Sequence, residues 1–238
     1  MLSLDKQNEW RERYAATRAG WRPATEQYAA WVREWSTGDR RLLDLGCGRG
    51  GLVEQLGKPL RQVVGIDPDL ASLQTHRLTA MPKTAAFSDH LPFAPTSFDV
   101  VFTSWLFEHL ERPLLTFQAV RRVRKPGGVF IFITPNGRHP LNWLNATLGR
   151  LGRLQGQLVE QLYDRDSDDT FPTFYRANSA ANLQRLAAQA DFALHALHTV
   201  PDPTYLAFTA VFYRLSCLLE NNLPPSRHIH LVGVLQAS

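Results

Sequence analysis

A short apolar run that breaks into closely spaced glycines most constrains the fold of this chain. Residues 41–45 are typical of a buried strand, and Gly46, Gly48 and Gly51 follow directly. A helical pattern then continues over residues 51–56. A strand that turns through glycine into a helix leaves backbone N–H groups facing outward, with no Cβ between them and a ligand. This stretch therefore predicts a nucleotide-binding turn.

Strand and helix patterns alternate along most of the remaining chain. Alternation at this spacing is typical of βαβ units. Right-handed crossovers between such units give a parallel sheet with helices on both faces. We therefore predict an α/β, doubly wound, mostly parallel sheet of seven strands. The predicted strands are residues 41–45, 62–66, 85–87, 98–104, 129–134, 192–200 and 229–235.

The same patterns divide a single domain of 238 residues into four parts. Residues 1–36 predict two helices with an aromatic face, which we interpret as an N-terminal lid. Residues 37–135 form the predicted cofactor-binding core. Residues 136–178 interrupt the alternation after the fifth strand and are the expected acceptor-binding insertion. Residues 179–238 complete the core and contain a second helical insertion at 202–222, after the sixth strand.

Composition narrows the class of protein. The formal net charge is +4, but the basic residues are spread along helix patterns and give no reason to expect nucleic-acid binding. Two cysteines provide neither a disulfide framework nor a metal-binding set, which fits a reducing cytoplasm. The first residues lack the apolar core of a signal peptide, and no apolar run reaches the roughly 18 residues of a membrane span. We expect a cytoplasmic protein with no metal and no transmembrane segment.

The glycine pattern alone does not decide which nucleotide the turn binds. Gly46, Gly48 and Gly51 match the G-x-G-x-x-G fingerprint, and Asp67 follows at the end of the second strand, so an NAD-dependent dehydrogenase fits both features. Asp44, however, lies inside the first strand, two residues before the turn. A carboxylate there is unfavourable beside a pyrophosphate and favourable beside a cationic group such as an amino-acid ammonium.

Four motifs, in this order, carry a resemblance to a known family: LLDLGCGRG, VVGIDPD, an LPF…FDVVF…EHL segment, and RRVRKPGGVFIF. Over residues 42–135 the chain resembles class I S-adenosylmethionine-dependent methyltransferases of the small-molecule type, within the type 11 and ubiquinone-biosynthesis-like group. The resemblance implies a Rossmann-like fold. It also implies transfer of a methyl group from S-adenosyl-L-methionine, with S-adenosyl-L-homocysteine as the product.

The resemblance also implies a role for each matched residue. Asp44, Gly46 and Gly48 would hold the methionyl end of the cofactor. Asp67 would accept both ribose hydroxyls, and Asp89 would receive the adenine amino group. Further cofactor contacts are expected from Tyr14 of the lid and from Cys47, Gly50, Pro68, His90, Ser104 and Trp105.

The sulfonium methyl group is already activated, so a general base is needed only for a protonated acceptor such as a hydroxyl. His109 is the favoured base because it follows the fourth strand, at the carboxyl end of the sheet where ligands bind. His139, just after the fifth strand, is the second choice. Acceptor contacts are expected from the insertion, at Tyr163, Tyr175 and Arg176.

Several alternatives stay open from the sequence. A small-molecule or lipid-like acceptor is favoured, while a nucleic-acid or protein methyltransferase and a non-catalytic cofactor-binding protein are the rivals. The fourth strand ends at Thr103-Ser104-Trp105-Leu106, which differs from the Asn/Asp-Pro-Pro-aromatic motif of amino-directed nucleic-acid enzymes. Residues 205–219 are apolar and fit core packing, a homodimer face or a membrane-surface contact.

Overall fold

Seven strands form one continuous sheet in the computed structural model, which describes residues 4–149 and 171–237. The strand order is β3-β2-β1-β4-β5-β7-β6. β1 to β5 pair in parallel, and β7 runs antiparallel to both β5 and β6. The predicted doubly wound, mostly parallel sheet is confirmed. Its strands are β1 Leu42–Leu45, β2 Val63–Asp67, β3 Lys83–Ala85, β4 Phe98–Ser104, β5 Arg124–Pro135, β6 Phe192–Val200 and β7 His230–Ala237.

Helices cover both faces of the sheet. α4 and α6 pack on one face through side chains such as Phe117 and Leu183, and α2 packs on the other through Tyr28 and Val32. Both layers are apolar because the central strands are buried on two sides. The helices are α1 Leu4–Thr17, α2 Ala24–Trp35, α3 Leu70–Gln74, α4 Pro113–Val123, α5 Pro140–Gly149, α6 Ala180–Gln189 and α7 Ala210–Asn222.

Three predicted elements differ from the structure in detail. The helix expected after β1 is a single 3₁₀ turn, Leu52–Gln55, because a segment this short cannot add further helical turns before Gly57 and Pro59. The third strand ends at Ala85, which leaves Phe87 in a loop instead of in the sheet. β5 begins at Arg124 instead of at residue 129, with a register irregularity opposite β4.

The N-terminal helix α1 packs against the chain between β6 and β7. The Trp10 ring stacks on the Tyr213 ring with centroids 4.3 Å apart. Arg11 forms an ion pair with the buried Asp202, with a nitrogen–oxygen distance of 3.0 Å. These contacts join α1 to α7 and to a 3₁₀ turn at Pro203–Leu206.

Both predicted insertions contain helix. The one after β5 begins with α5, and the one after β6 contains the 3₁₀ turn and α7. Within residues 4–149 and 171–237, no helix has both the length and the apolar character needed to cross a membrane. The predicted acceptor residue Tyr163 lies outside the described residues.

Candidate active site

The carboxyl ends of β1, β2 and β4 meet at a cleft of about 800 Å³. The strand order reverses between β1 and β4, and in open α/β sheets ligands bind at such a reversal. The cleft therefore lies where the sequence predicted a nucleotide. Eight of the predicted site residues line it: Gly46, Asp67, Pro68, Asp89, His90, Ser104, Trp105 and His109.

The glycine turn reaches the cleft at Gly46, but the amides of Gly46, Cys47, Gly48 and Gly50 donate hydrogen bonds within the protein and not outward as the sequence predicted. Gly46 adopts φ 78°, in the left-handed region that favours glycine, and an added Cβ there would meet Leu106 at 3.4 Å. The Gly46 and Cys47 amides donate to the carbonyl of Ile66 at 2.8 and 2.9 Å. These bonds tie the turn to the end of β2. Glycine is favoured at position 46 because of the positive φ.

Asp44 is a buried carboxylate in β1, two residues before the glycine turn, with only 6% of the residue exposed. It does not itself line the cleft. Burial, and then the neighbouring Asp67, raise its pKa to about 7. Both influences oppose ionisation, so the folded protein places a costly charge here. A ligand ammonium beside Asp44 would relieve that cost. The site therefore fits the cationic methionyl end of the expected cofactor.

Asp67 is oriented by two backbone amides. Its Oδ2 accepts from Gly48 N and its Oδ1 accepts from Asp69 N, both at 2.9 Å. A carboxylate oxygen can accept more than one hydrogen bond, so each keeps accepting capacity toward the cleft that Asp67 lines. Two acceptor oxygens held in a fixed orientation suit a cis-diol.

The far end of the cleft combines a carboxylate with an exposed aromatic ring. Asp89 Oδ1 lies 2.8 Å from His90 Nδ1, and Arg112 approaches the other oxygen at 3.7 Å. Phe87 also lines the cleft and is 67% exposed. Phe87 was not predicted as a site residue, because the sequence pattern places it in the third strand. An aromatic residue directly before the polar pair Ser88 and Asp89, at a predicted strand end, was the sequence signal that could have identified it.

The end of β4 forms another wall of the cleft, through Ser104 and Trp105. Trp105 has φ 55°, an uncommon conformation for a large residue, and its amide donates to Ile133 O at 3.0 Å. Its ring meets the ring of His230 at a centroid distance of 5.2 Å.

Tyr28 of α2 was also not predicted as a site residue from the sequence. Burial, and then the nearby Asp44, raise the pKa of Tyr28 well above its ordinary value.

His109 lies on the apolar side of the cleft. Its Nδ1 is 3.0 Å from the carbonyl oxygen of Pro172, and its ring meets that of Phe171 at 6.0 Å. The Phe174 amide donates to the carbonyl of Glu108 at 2.7 Å. These contacts bring the end of the first insertion against the turn that follows β4. Leu106, Leu110, Phe171, Pro172 and Phe174 line this side.

The structure places His139 away from the cleft. Its Nδ1 accepts from Leu141 N at 3.2 Å, and its Nε2 lies 3.1 Å from Oε1 of Glu220, with both side chains buried. Because Nδ1 accepts a backbone hydrogen bond, the proton of the neutral ring is on Nε2, facing the carboxylate. His139 thereby joins the start of α5 to α7. It is not among the residues that line the cleft.

The other predicted site residues of the described chain do not line the cleft. The Tyr14 ring meets Trp21 edge-on at 4.9 Å, on the α1 side of the molecule. An Arg176 guanidinium nitrogen donates to the carbonyl of Glu111 at 2.5 Å, and Glu111 lines the cleft. Asp44, Cys47, Gly48, Gly50, Tyr14, Tyr175 and Arg176 are not among the lining residues, although Gly48 contacts Asp67. In the part of the chain that the structure describes, no group of three or more His, Cys, Asp or Glu side chains could hold a metal ion.

Comparison with known proteins gives both a domain match and named relatives. Residues 43–132 match a family described as Methyltransferase domain. The Ubiquinone biosynthesis O-methyltransferase of Alkalilimnicola ehrlichii is 32% identical over 165 residues, which cover 66% of this chain and 62% of the relative. The chain spans less than two thirds of the length of the curated relatives it matches.

Two solved structures share the fold. An S-adenosylmethionine-dependent methyltransferase from Mesorhizobium loti superposes with a TM-score of 0.59 at 17% identity, covering 90% of this chain and 97% of that one. Geranyl diphosphate C-methyltransferase from Streptomyces coelicolor A3(2), in complex with Mg²⁺, geranyl diphosphate and S-adenosyl-L-homocysteine, gives a TM-score of 0.58 at 14% identity, covering 90% and 77%. At these identities the likeness concerns the fold.

The domain match thus covers the part of the chain that carries the glycine turn and the cleft carboxylates, and one structural neighbour contains S-adenosyl-L-homocysteine. Together, the domain match, the curated relatives and the structural neighbours support the recognition of this chain as a class I S-adenosylmethionine-dependent methyltransferase.

Proposed function

We propose that the chain binds S-adenosyl-L-methionine in the cleft and transfers its methyl group to a small-molecule or lipid-like acceptor by in-line displacement. The observation that best supports this proposal is the position of the buried Asp44, which lies beside Asp67 and the glycine turn where the strand order reverses. The cofactor supplies an activated methyl group. The protein has to hold the donor, align the acceptor and exclude water.

Each of three carboxylates binds a different part of the cofactor. Asp44 pairs with the methionyl ammonium, and this pairing offsets the cost of its burial. Asp67 accepts the ribose hydroxyls, since two backbone amides already fix its orientation. Asp89 receives the adenine amino group, and the exposed Phe87 ring provides an apolar surface for the base.

The acceptor occupies the side of the cleft formed by Leu106, Leu110, Phe171 and Phe174. This wall is apolar and aromatic, in contrast to the carboxylate-rich cofactor side, so it suits a molecule with an apolar body. Relatives and neighbours named for ubiquinone biosynthesis and for geranyl diphosphate support this class of acceptor. The next residues contact this wall: the Tyr175 amide donates to the carbonyl of Glu108, and the Arg176 guanidinium lies 5.4 Å from the centre of the Phe174 ring.

His109 is the proposed general base for a hydroxyl acceptor. A carbonyl oxygen can only accept a hydrogen bond, so the contact with Pro172 O requires the proton of the neutral imidazole to be on Nδ1. Nε2 then carries the lone pair that takes up a proton. The acceptor would deliver its hydroxyl proton to Nε2 as the new oxygen–carbon bond forms and the carbon–sulfur bond breaks.

Isothermal titration with S-adenosyl-L-homocysteine tests the cofactor assignment. We expect saturable one-to-one binding to the wild type, with no measurable binding to Asp44→Asn. Asp99→Asn is the matched control, because Asp99 lies at the opposite end of β4, where it contacts Lys125 and the amide of Arg41. Binding of NAD in place of S-adenosyl-L-homocysteine would refute the proposal and favour the dehydrogenase.

Identification of the acceptor requires a turnover assay. The wild type is incubated with S-adenosyl-L-methionine and a panel of phenols, carboxylic acids and isoprenoid alcohols, and formation of S-adenosyl-L-homocysteine is measured. We expect turnover with apolar hydroxyl compounds. Cofactor binding without turnover on any member of the panel would favour the non-catalytic alternative.

A further inference from the structure

A second concave site, of about 710 Å³, opens beside the carboxyl end of β5. One wall is the start of α5, and the other is the loop between α7 and β7. It shares no lining residue with the cofactor cleft. We call it the arginine pocket; its lining residues are Gly137, Arg138, Pro140, Trp143, Pro224, Ser226 and Arg227.

The arginine pocket carries positive charge. Arg138 and Arg227 are both exposed, and among the described residues neither guanidinium has a hydrogen-bonding or ion-pair partner. The lining residues that belong to the described part of the chain include these two cations and no carboxylate. Guanidinium groups bind phosphate and carboxylate through paired N–H donors. An oxyanion therefore complements this pocket.

The two arginines are carried by backbone segments held together by Asn136. The Asn136 side-chain amide donates to the carbonyls of Ser226 and His228 at 3.1 and 2.8 Å, and its Oδ1 accepts from Arg138 N at 3.0 Å. Asn136 is fully buried. The loop that carries Arg227 is thus fixed relative to the segment that carries Arg138. A fixed pair of backbone positions lowers the ordering cost of binding a ligand between them.

Side chains, and not the start of α5, would recognise the anion. The Gly137 amide already donates to Asn178 O at 2.7 Å, and the Arg138 amide is bonded to Asn136. The Ser226 hydroxyl adds a further donor at the rim. Trp143 presents an indole that is 61% exposed, an unusual fraction for so large an apolar side chain. Its ring, with Pro140 and Pro224, offers a surface for a flat apolar group.

We propose that the arginine pocket is a binding site for a small oxyanion, phosphate or carboxylate, carried on a flat apolar body. The anion binds Arg138 and Arg227, and the apolar body lies against Trp143. This site goes beyond the proposed methyl transfer and does not depend on it, because the two cavities share no residue. The pocket lies beside the carboxyl end of β5, away from the reversal of strand order between β1 and β4.

Isothermal titration of the full chain with phenyl phosphate, benzoate and inorganic phosphate tests the site. Each titration is run with and without saturating S-adenosyl-L-homocysteine, so that anions bound in the cofactor cleft are recognised by competition. We expect one-to-one binding of phenyl phosphate or benzoate that S-adenosyl-L-homocysteine leaves unchanged, and the tighter of the two identifies the anion. Titration without S-adenosyl-L-homocysteine remains decisive even if the proposed cofactor does not bind.

Variants locate the binding. Arg138→Gln and Arg227→Gln should each weaken binding roughly tenfold, as expected for the loss of a charge-assisted hydrogen bond. Trp143→Ala should reduce the affinity for phenyl phosphate while leaving that for inorganic phosphate unchanged. Arg214→Gln, exposed on α7 and outside the lining set, is the control of equal charge.

Three results would overturn the proposal. They are the absence of saturable binding by all three probes, an equal loss of affinity in Arg214→Gln, and competition by S-adenosyl-L-homocysteine. Thermal unfolding of each variant confirms that it is folded before titration.

Discussion

Replacing Asp44 by asparagine is expected to stabilise the cofactor-free protein while removing its affinity for the cofactor. Burial, and then Asp67, raise the pKa of Asp44 to about 7. Above that pH the folded chain holds an ionised carboxylate away from water, whereas the unfolded chain solvates it. Asparagine has nearly the same shape and no charge. The free-energy cost of holding an ionised carboxylate away from water should therefore disappear in Asp44→Asn.

The size of the effect follows from the two pKa values. Because the folded value lies above the ordinary value of 3.8, the contribution of Asp44 to stability is fully present below about pH 4 and is lost as the pH rises through 7. Each pKa unit corresponds to about 1.4 kcal/mol, so the loss at pH 8 is about 4 kcal/mol. In a chain of this size that free energy shifts the unfolding midpoint by roughly 8–16 °C.

Thermal and urea unfolding at pH 5 and pH 8, without cofactor, measure this difference. The variant should exceed the wild type in stability at pH 8, with a much smaller gain at pH 5. Added S-adenosyl-L-homocysteine should raise the midpoint of the wild type and leave that of Asp44→Asn unchanged. The cofactor would thus reverse part of the difference between the two proteins.

Asp99→Asn provides a control of opposite sign. Burial acts to raise the pKa of Asp99, but hydrogen bonds from Lys125 and from the Arg41 amide outweigh it, and the pKa is lowered. Loss of that carboxylate should reduce stability at pH 8. An Asp44→Asn protein no more stable than the wild type at pH 8, or equally stabilised at both pH values, would refute the argument.

Three further predictions concern Asp44, His109 and Gly233. The affinity of the wild type for S-adenosyl-L-homocysteine should fall about tenfold per pH unit below 7, because protonated Asp44 cannot pair with an ammonium; a flat calorimetric profile would contradict this. His109→Gln should keep cofactor affinity within about twofold and lower methyl transfer at least about 100-fold, measured with an acceptor from the panel, and an unchanged rate would exclude the base role. Gly233→Ala places a Cβ 2.2 Å from the Phe132 ring, so it should lower the urea-measured free energy of unfolding by about 1–3 kcal/mol. Unaltered stability would show that the ring moves freely.

Local patterns carried much of the fold and of the cofactor side of the cleft. Strand and helix periodicity depends on residues that are neighbours in the chain, so β4 and β6 begin and end where the sequence predicts. Asp44 could be selected because a carboxylate inside an apolar strand is costly without a ligand. The short turn after β1 and the end of β3 were less accurate, because four- or five-residue elements depend on packing as much as on pattern.

The acceptor side depended on contacts between distant residues. His109 and His139 each follow a strand at the same edge of the sheet, and sequence position alone does not separate them. Packing of α7 brings Glu220 against His139, whereas the end of the first insertion brings Pro172 against His109. These pairings join residues far apart in the chain, so no local pattern records them.

The sequence by itself predicted a nucleotide-type turn with a carboxylate inside the preceding strand, since both are short-range features, and the motif resemblance linked them to Asp67 about twenty residues further on. Only the tertiary structure decided which histidine faces the cleft, that Phe87 is exposed beside Asp89, and that Arg138 and Arg227 share a pocket. The physical reason is that crossovers and loop packing set the distances between segments. Local sequence fixes only what lies within a few residues along the chain.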